Sequence, residues 1–398
     1  MIDWLTRHDP NRVFLETPVG SRTYGEILDS LHNRPVAGIE LLRPRLDAGS
    51  VVDLLAVMAS GCAVVVGPEA EVPDGIDPGG AATVVFTSGT TGGAKGVRLT
   101  RANWESAVRA SQQHLGNGAD DVWVLAMPLH RVGGIAIILR SAFSGGKVRI
   151  LSRFDASEFA AALRTGVTFA SVVPTMLHRI LEIDPGPYRG VRAVLVGGGP
   201  IPDRLLERAV VAGLPVLPSY GMTETCGQVA TLKPGARVER KAHPLPGVEL
   251  RVEPDHRIAV RGPMVSPGYV GEADRDPGSW FVTGDRGELD LDGALRVLGR
   301  ADDVIVSGGV NIDPEVIEAS LTEMHGVEAA LVCGVPSAEW GMEVACLYVG
   351  DLEPSVLESR LRGRLEGVLV PKRWRRVTVI PTTDLGKPDR AKAMKLFS

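Results

Sequence analysis

Ala81-Ala82-Thr83-Val84-Val85-Phe86 is a β-branched and aromatic run, and it leads into Thr87-Ser88-Gly89-Thr90-Thr91-Gly92-Gly93-Ala94-Lys95-Gly96. A strand that ends in hydroxyls, glycines and one lysine is suited to holding a polyphosphate. The hydroxyls donate hydrogen bonds, the glycines let backbone N–H groups come close, and Lys95 adds a point charge. The nucleoside-triphosphatase pattern G-x-x-x-x-G-K-[ST] is excluded. Ala94 precedes the lysine and Gly96 follows it, so the magnesium-binding hydroxyl of that pattern is missing. An ordinary surface turn draws on the same residue types, and the rest of the chain distinguishes the two.

Around this loop, short apolar runs alternate with helical patterns. The runs at 64–67, 83–88, 122–128, 147–152, 169–174, 192–198 and 215–220 read as strands. Asp155-Ala156-Ser157-Glu158 reads as an N-cap with its reciprocal acid, opening a helix stopped by Gly166, and Pro202 opens another stopped by Gly213. This alternation predicts an α/β fold with a largely parallel sheet covered on both faces and ligands at the carboxyl ends of its strands. Residues 87–95, Gly197-Gly198-Gly199-Pro200 and Tyr220-Gly221-Met222-Thr223-Glu224 all follow strand ends, so one crevice can serve them all. Beyond residue 235, runs at 248–252, 257–261, 288–290 and 294–298 predict a small antiparallel β subdomain. After Gly299-Arg300-Ala301-Asp302-Asp303 the pattern changes again. Asp313 as N-cap and Pro314 open a helix closed by Gly326, within what reads as an independent α+β domain. The expected organisation is a domain at 1–300, with the β subdomain at 235–300, and a second domain at 301–398.

The chain has 398 residues, 44% of them hydrophobic and 23% charged, which suits a globular protein of two or three domains. A net charge of −5 offers no footing for nucleic acid or an anionic membrane. Only 8 of the 43 basic residues are lysine, so a lone lysine in a loop is informative. The four cysteines lack C-x-x-C spacing and lie in or beside apolar runs, as expected of buried thiols in a reducing compartment rather than of disulfides or zinc. The first residues carry no signal-peptide pattern. The apolar region 51–67 is broken by Asp53 and by Ser60-Gly61 and is short for a membrane span. The expectation is a cytoplasmic protein without membrane insertion.

Further stretches, in order, give the loop its meaning: Gly197 to Pro200, Tyr220 to Thr225, Thr283-Gly284-Asp285 with Arg300, Ser307-Gly308-Gly309, and Asp384-Leu385-Gly386-Lys387. Together they resemble the signatures of the adenylate-forming superfamily, which holds acyl-CoA synthetases, luciferases and peptide-synthetase adenylation domains. The resemblance implies a large N-terminal domain, a mobile C-terminal domain, and a division of labour. Thr87, Ser88, Gly89, Thr90, Thr91, Gly92 and Lys95 would grip the β- and γ-phosphates of ATP. Gly198, Gly199 and Pro200 would flank adenine, and Tyr220, followed by Gly221, would stack on it. Thr223 would touch the α-phosphate and Glu224 would hold Mg²⁺. Asp285 would bind both ribose hydroxyls with Arg300 beside it, and Asp302 would be the hinge about which the second domain rotates. Ser307, Gly308 and Gly309 would admit the pantetheine of CoA, and Lys387 would bridge the acyl carboxylate and the α-phosphate. Each stretch alone has a plainer reading: a helix start at Thr223, a hairpin turn at Thr283-Gly284-Asp285, a turn at Gly308-Gly309, a solvated lysine at 387. Pro388 stands where the family usually has a branched apolar residue, and reads as the first residue of a closing helix.

The region before Thr87 is short, with Arg22-Thr23-Tyr24-Gly25-Glu26-Ile27-Leu28 the remnant of an early helix. In this the chain is similar to the compact actinobacterial o-succinylbenzoate:CoA ligases of menaquinone biosynthesis. The stretches from Met127 to Ser141, from Ser171 to Leu177 and from Thr223 to Gln228 agree. His130 and Arg131 fall where the family has an aromatic residue and a histidine. A second substrate carboxylate, once buried, needs a cationic or multidentate partner, which makes His130, Arg131 and Arg140 the candidate acid pocket. The plainer reading of Arg140 is a pair with a carboxylate on a neighbouring helix. The implied reaction joins a small carboxylic acid to CoA with ATP and Mg²⁺. Another aryl or short-chain acid, a carrier-protein thiol in place of CoA, and a non-catalytic nucleotide-binding regulator stay open, as does a homo-oligomer.

Overall fold

Before residue 300 the strands form two sheets. In the larger, Val122–Leu125, Lys147–Ile150, Phe169–Val172, Ala193–Val196 and Val216–Tyr220 run parallel. Helices Val132–Ser144, Ala156–Arg164, Pro174–Ile183 and Asp203–Val211 connect them. Ala193–Val196 shows why these runs are apolar throughout. Ala193 and Leu195 enter one core while Val194 and Val196 enter another, so both faces of the strand are covered. Asp155 caps its helix by accepting from the backbone N–H groups of Ser157 and Glu158, and the reciprocal half of the expected cap does not form. The computed structural model describes residues 2–34, 36, 38–66, 76–87, 95–382 and 388–397.

The strand that leads into the phosphate loop, Thr83–Thr87, belongs to the second sheet, with Glu40–Leu42, Val64–Val66, Lys95–Leu99 and Gly268–Tyr269. Its strands Glu40–Leu42, Val64–Val66 and Thr83–Thr87 are parallel, as expected of the large domain's sheets, and the other two pair antiparallel. Thr83–Thr87 and Lys95–Leu99 are antiparallel neighbours with Thr87 opposite Lys95, and the residues between them are too few for the crossover that a parallel pair requires. Helix Arg101–Leu115 ties the sheets together. Trp104 Nε1 donates to Thr83 Oγ1 (2.9 Å) on one side and Ser111 Oγ donates to Gln228 Oε1 (2.7 Å) on the other.

The larger sheet continues with antiparallel strands through Ala230–Thr231 and Lys241–Pro244 to Leu295–Arg300, Phe281–Leu289, Arg257–Arg261 and Glu249–Val252. The antiparallel region is therefore hydrogen-bonded to the parallel strands. The run expected at 288–290 is the end of a 9-residue strand. Thr283-Gly284-Asp285, whose plainer reading is a hairpin turn, lies inside this strand, with Asp285 opposite Arg300 and a bulge between Arg286 and Gly287.

After residue 304 a third sheet holds Val310–Ile312, Ile305–Ser307, Gly341–Gly350 and Val327–Ser337, with Arg373–Arg376 beside Gly341–Gly350. Helices Pro314–Thr322 and Pro354–Arg362 pack with Val332 on one face, while Ala393 from helix Arg390–Lys395 packs with Leu331, Cys333 and Val335 on the other. Asp313 caps its helix as expected, but the helix ends at Thr322, ahead of Gly326. Pro388 does not begin the closing helix. Asp389 is that helix's N-cap, and Pro388 forms an isolated bridge with Thr382. Cys226, Cys333 and Cys346 are buried free thiols, and Cys62 is half-buried. Among the described residues no helix is long and apolar enough to cross a membrane.

Candidate active site

Val216–Tyr220 ends in a turn whose shape depends on Gly221, because a Cβ there would lie 1.4 Å from the carbonyl oxygen of Gly227. The chain then makes a single 3-10 turn, Thr223–Thr225, instead of a longer helix. Glu224 is held at both ends. Ser266 N donates to Glu224 O (2.7 Å), and Tyr269 Oη donates to Glu224 Oε1 (2.9 Å). Lys95 Nζ lies over the Tyr269 ring, 5.1 Å from its centroid. Lys95 from the smaller sheet and Glu224 from the larger thus meet on Tyr269. Burial, and then the Glu224 carboxylate, raise the Tyr269 phenol pKa, which keeps it a donor. Thr87 Oγ1 donates to Lys95 O (3.4 Å) across the hairpin. Ser88, Gly89, Thr90, Thr91, Gly92 and Lys387 lie outside the described residues.

Sequence reasoning missed Tyr269. Its signal was small: one of 5 tyrosines, in the run Pro267-Gly268-Tyr269 with no motif around it.

Four residues before Glu224, Tyr220 Oη donates to Asp285 Oδ2 (2.9 Å). Arg300 Nη1 donates to Asp285 Oδ1 (3.3 Å), and its Nη2 to Asp302 Oδ2 (2.8 Å). Thr283-Gly284-Asp285 is therefore no hairpin turn. Asp285 sits in strand Phe281–Leu289 opposite Arg300, and Gly284 leaves the room that the guanidinium fills, since a Cβ would be 2.8 Å from Nη2. Each Asp285 oxygen has a lone pair left for a ribose hydroxyl. A Cβ on Gly197 would lie 2.5 Å from Ser219 O, which brings Gly198, Gly199 and Pro200 alongside the strand end that carries Tyr220.

The three candidate acid-pocket residues have separate partners. Arg131 Nη1 donates to Phe86 O (3.1 Å), pinning the start of helix Val132–Ser144 to the phosphate-loop strand. His130 is half-buried, and burial, then Arg131, lower its pKa. Arg140 lies nine residues farther along the same helix than Arg131, about 13 Å away. It is 6% exposed and its Nη2 donates to Gln228 Oε1 (2.9 Å). No carboxylate pairs with it among the described residues, which rules out the plainer reading. Burial pushes its pKa down to about 10. The recess it shares with Trp104, Ala136, Cys226 and Gln228 is too small to hold water.

Asp302 lies in the 3-10 turn Ala301–Asp303, and its carboxylate shares Arg300 with Asp285. Ser307 is buried, and Gly308 and Gly309, with φ of +56° and +81°, form a two-residue hairpin turn against which Trp340 packs. Among the described residues no group of three or more His, Cys, Asp or Glu side chains gathers around a metal position. Among the described residues Glu224 Oε2 has no hydrogen-bond donor, so it could accept a cation. One carboxylate suits Mg²⁺, whose remaining ligands are water and substrate phosphate.

Residues 43–270 match the AMP-binding enzyme family, and residues 316–387 match the AMP-binding enzyme C-terminal domain. The chain belongs to the AMP-binding enzyme family. Within it, the chain is 38% identical to the 2-succinylbenzoate–CoA ligase of Listeria monocytogenes, over 80% of this chain and 70% of that one. The o-succinylbenzoate CoA synthetase of Bacillus subtilis, in complex with its acyl-adenylate intermediate, superposes with a TM-score of 0.85 at 26% identity, covering 98% of this chain and 97% of that chain. A double mutant of the same Bacillus synthetase, bound to a product analogue, covers the same 98% and 97% at 26% identity but with a TM-score of 0.68.

Proposed function

We infer that this member of the AMP-binding enzyme family is an AMP-forming 2-succinylbenzoate–CoA ligase: it activates the acid with ATP and transfers the acyl group to CoA. The observation that carries this reading is the strand end at residues 220–224. Tyr220 there bonds the Asp285 and Arg300 pair suited to a ribose, and Glu224 joins Lys95 through Tyr269 at a position suited to phosphates. The resemblance to ligases of 2-succinylbenzoate supports the choice of acid.

The first half-reaction brings a carboxylate against the α-phosphate of ATP, so two anions must meet. Lys95 and the loop before it hold the β- and γ-phosphates that leave as pyrophosphate, Thr223 touches the α-phosphate, and Glu224 holds Mg²⁺. The ion supplies charge neutralisation between the phosphates. Lys387 provides positive charge where negative charge develops in the transition state. In the second half-reaction the C-terminal domain turns about Asp302 and brings the Ser307-Gly308-Gly309 hairpin to the acyl-adenylate, where the CoA thiol displaces AMP. The higher TM-score with the acyl-adenylate complex than with the product-analogue complex, at equal coverage, supports the adenylate-forming arrangement for the structure described here. Arg140 is the cation we assign to the second carboxylate, reached once Gln228 and its neighbours yield space. The free buried thiols fit a reducing compartment such as the cytoplasm.

The test is acid-dependent pyrophosphate release across aromatic, dicarboxylic and fatty acids. 2-Succinylbenzoate should give the strongest response. Silence with it and a clear response to another acid would end the assignment of substrate, while silence with every acid would end the ligase reading.

A further inference from the structure

Arg390 is the first residue of the closing helix and stands three residues beyond Lys387. Its guanidinium is spent on three partners at once. Nε donates to Asp303 Oδ2 (3.0 Å), in the turn that holds the hinge position, and Nη1 donates to Val332 O (2.6 Å) on the edge strand Val327–Ser337 of the third sheet. Nη1 and Nη2 also grip the carboxylate of Glu318 on helix Pro314–Thr322 in a bidentate pair. Glu318 in turn accepts from Val332 N (2.7 Å). Side-chain exposure is 15% for Arg390 and 12% for Glu318, so this pair is well shielded from water, while Asp303 is 35% exposed.

The segment before Arg390 is stitched at its base as well. Asp389 N donates to Pro381 O (2.9 Å), and Thr382 bridges Pro388. Residues 381 and 389 are thereby joined, and the clamp on Arg390 fixes that junction to the hinge turn, a helix and a strand.

We propose that Arg390 is a positioning residue for adenylation: by clamping the junction behind Lys387 to Asp303 and Glu318, it fixes where that lysine is delivered. The proposal rests on the ligase reading and on the adenylation role of Lys387. All the partners of the clamp follow the hinge, so it moves with the C-terminal domain as one piece. A loosened clamp therefore misplaces Lys387 in the adenylate-forming arrangement and has little effect in the thioester-forming one, where Lys387 takes no part.

Arg390→Lys keeps the charge but cannot span both carboxylates. Asp303→Asn spares the buried pair with Glu318 and only weakens the link to the hinge turn, taking away its charge while leaving an oxygen to accept from Nε, which gives a second variant should Arg390→Lys fold poorly. Both are compared with the wild-type full-length enzyme in two assays: acid-dependent pyrophosphate release, and conversion of added acyl-adenylate to thioester. Misplacement of a reacting group by an ångström costs about a hundredfold. Arg390→Lys should lose about that factor in the kcat of the first assay, and Asp303→Asn about tenfold. KM for ATP and the acid, and the second assay, should stay within about twofold. Equal losses in both assays would make the clamp merely structural and overturn the proposal, as would unchanged rates in both. A wild-type enzyme that releases no pyrophosphate with any acid would overturn the ligase reading instead.

Discussion

Tyr269 is the residue on which the two sheets exchange charge. Its hydroxyl holds one oxygen of Glu224 and its ring lies under Lys95. Tyr269→Phe keeps the ring and removes the hydrogen bond, so Glu224 loses its orientation without losing its charge. A hydrogen bond to a charged group contributes about 1.5–3 kcal/mol. The variant should need roughly tenfold more Mg²⁺ for half-maximal pyrophosphate release, measured by Mg²⁺ titration at saturating ATP. An unchanged titration would mean that Tyr269 supports the fold and not the site. Lys95, Glu224, Asp285 and Arg300 were legible because each sits in a short run whose residue types serve one chemistry. Tyr269 was not, because it gains its meaning from Glu224, 45 residues away, and from Lys95, far away in sequence on the neighbouring strand of its own sheet.

At the scale of elements, the parallel strands and their helices were legible from local apolar runs and caps, and the structure places them within a few residues of the expected bounds. Helix ends are misread at Thr322 and Pro388, and the strands are misread in their pairing. The sequence says that 83–88 is a strand, yet one of its partners is decided by the short return to Lys95–Leu99, which gives a separate, mixed sheet. Phe281–Leu289 hides a turn-like composition inside a strand because its register with Leu295–Arg300 is a long-range fact. Gly221 shows an element boundary that composition could not have explained: the backbone of Gly227 occupies the space of its missing side chain. Gly221→Ala should therefore push the Thr223–Thr225 turn off Ser266 and Tyr269. Overpacking of this kind costs about 1–3 kcal/mol, so thermal unfolding should shift down and adenylation should fall by more than about tenfold. A variant with wild-type melting and activity would show that the turn yields without displacing Glu224.

For the whole molecule, the surface between the first two sheets and the third carries a group of acids. Arg286 Nη1, on strand Phe281–Leu289, reaches Asp313 Oδ2 (3.4 Å) at the cap of helix Pro314–Thr322. Glu315, in the first turn of that helix, packs against Gly299, where an added Cβ would be 2.9 Å from its Oε1. Burial pushes the Glu315 carboxyl up to about 8 from its ordinary 4.5. The charges of Glu318, Asp313 and Asp303 add to this, and Arg390 opposes them. Between those two values the folded protein keeps a proton that the unfolded chain releases. This group's contribution to stability is therefore full at acid pH, falls as pH rises from about 4.5 to about 8, and is flat beyond. Glu315→Gln carries no titrating proton and fits the same space. Its melting temperature should track the wild type's near pH 5 and exceed it at pH 8 by roughly 3 °C, read by calorimetry at matched ionic strength. Parallel curves across that window would mean that Glu315 ionises freely, and that the seat of the C-terminal domain against Gly299 does not depend on a neutral carboxyl.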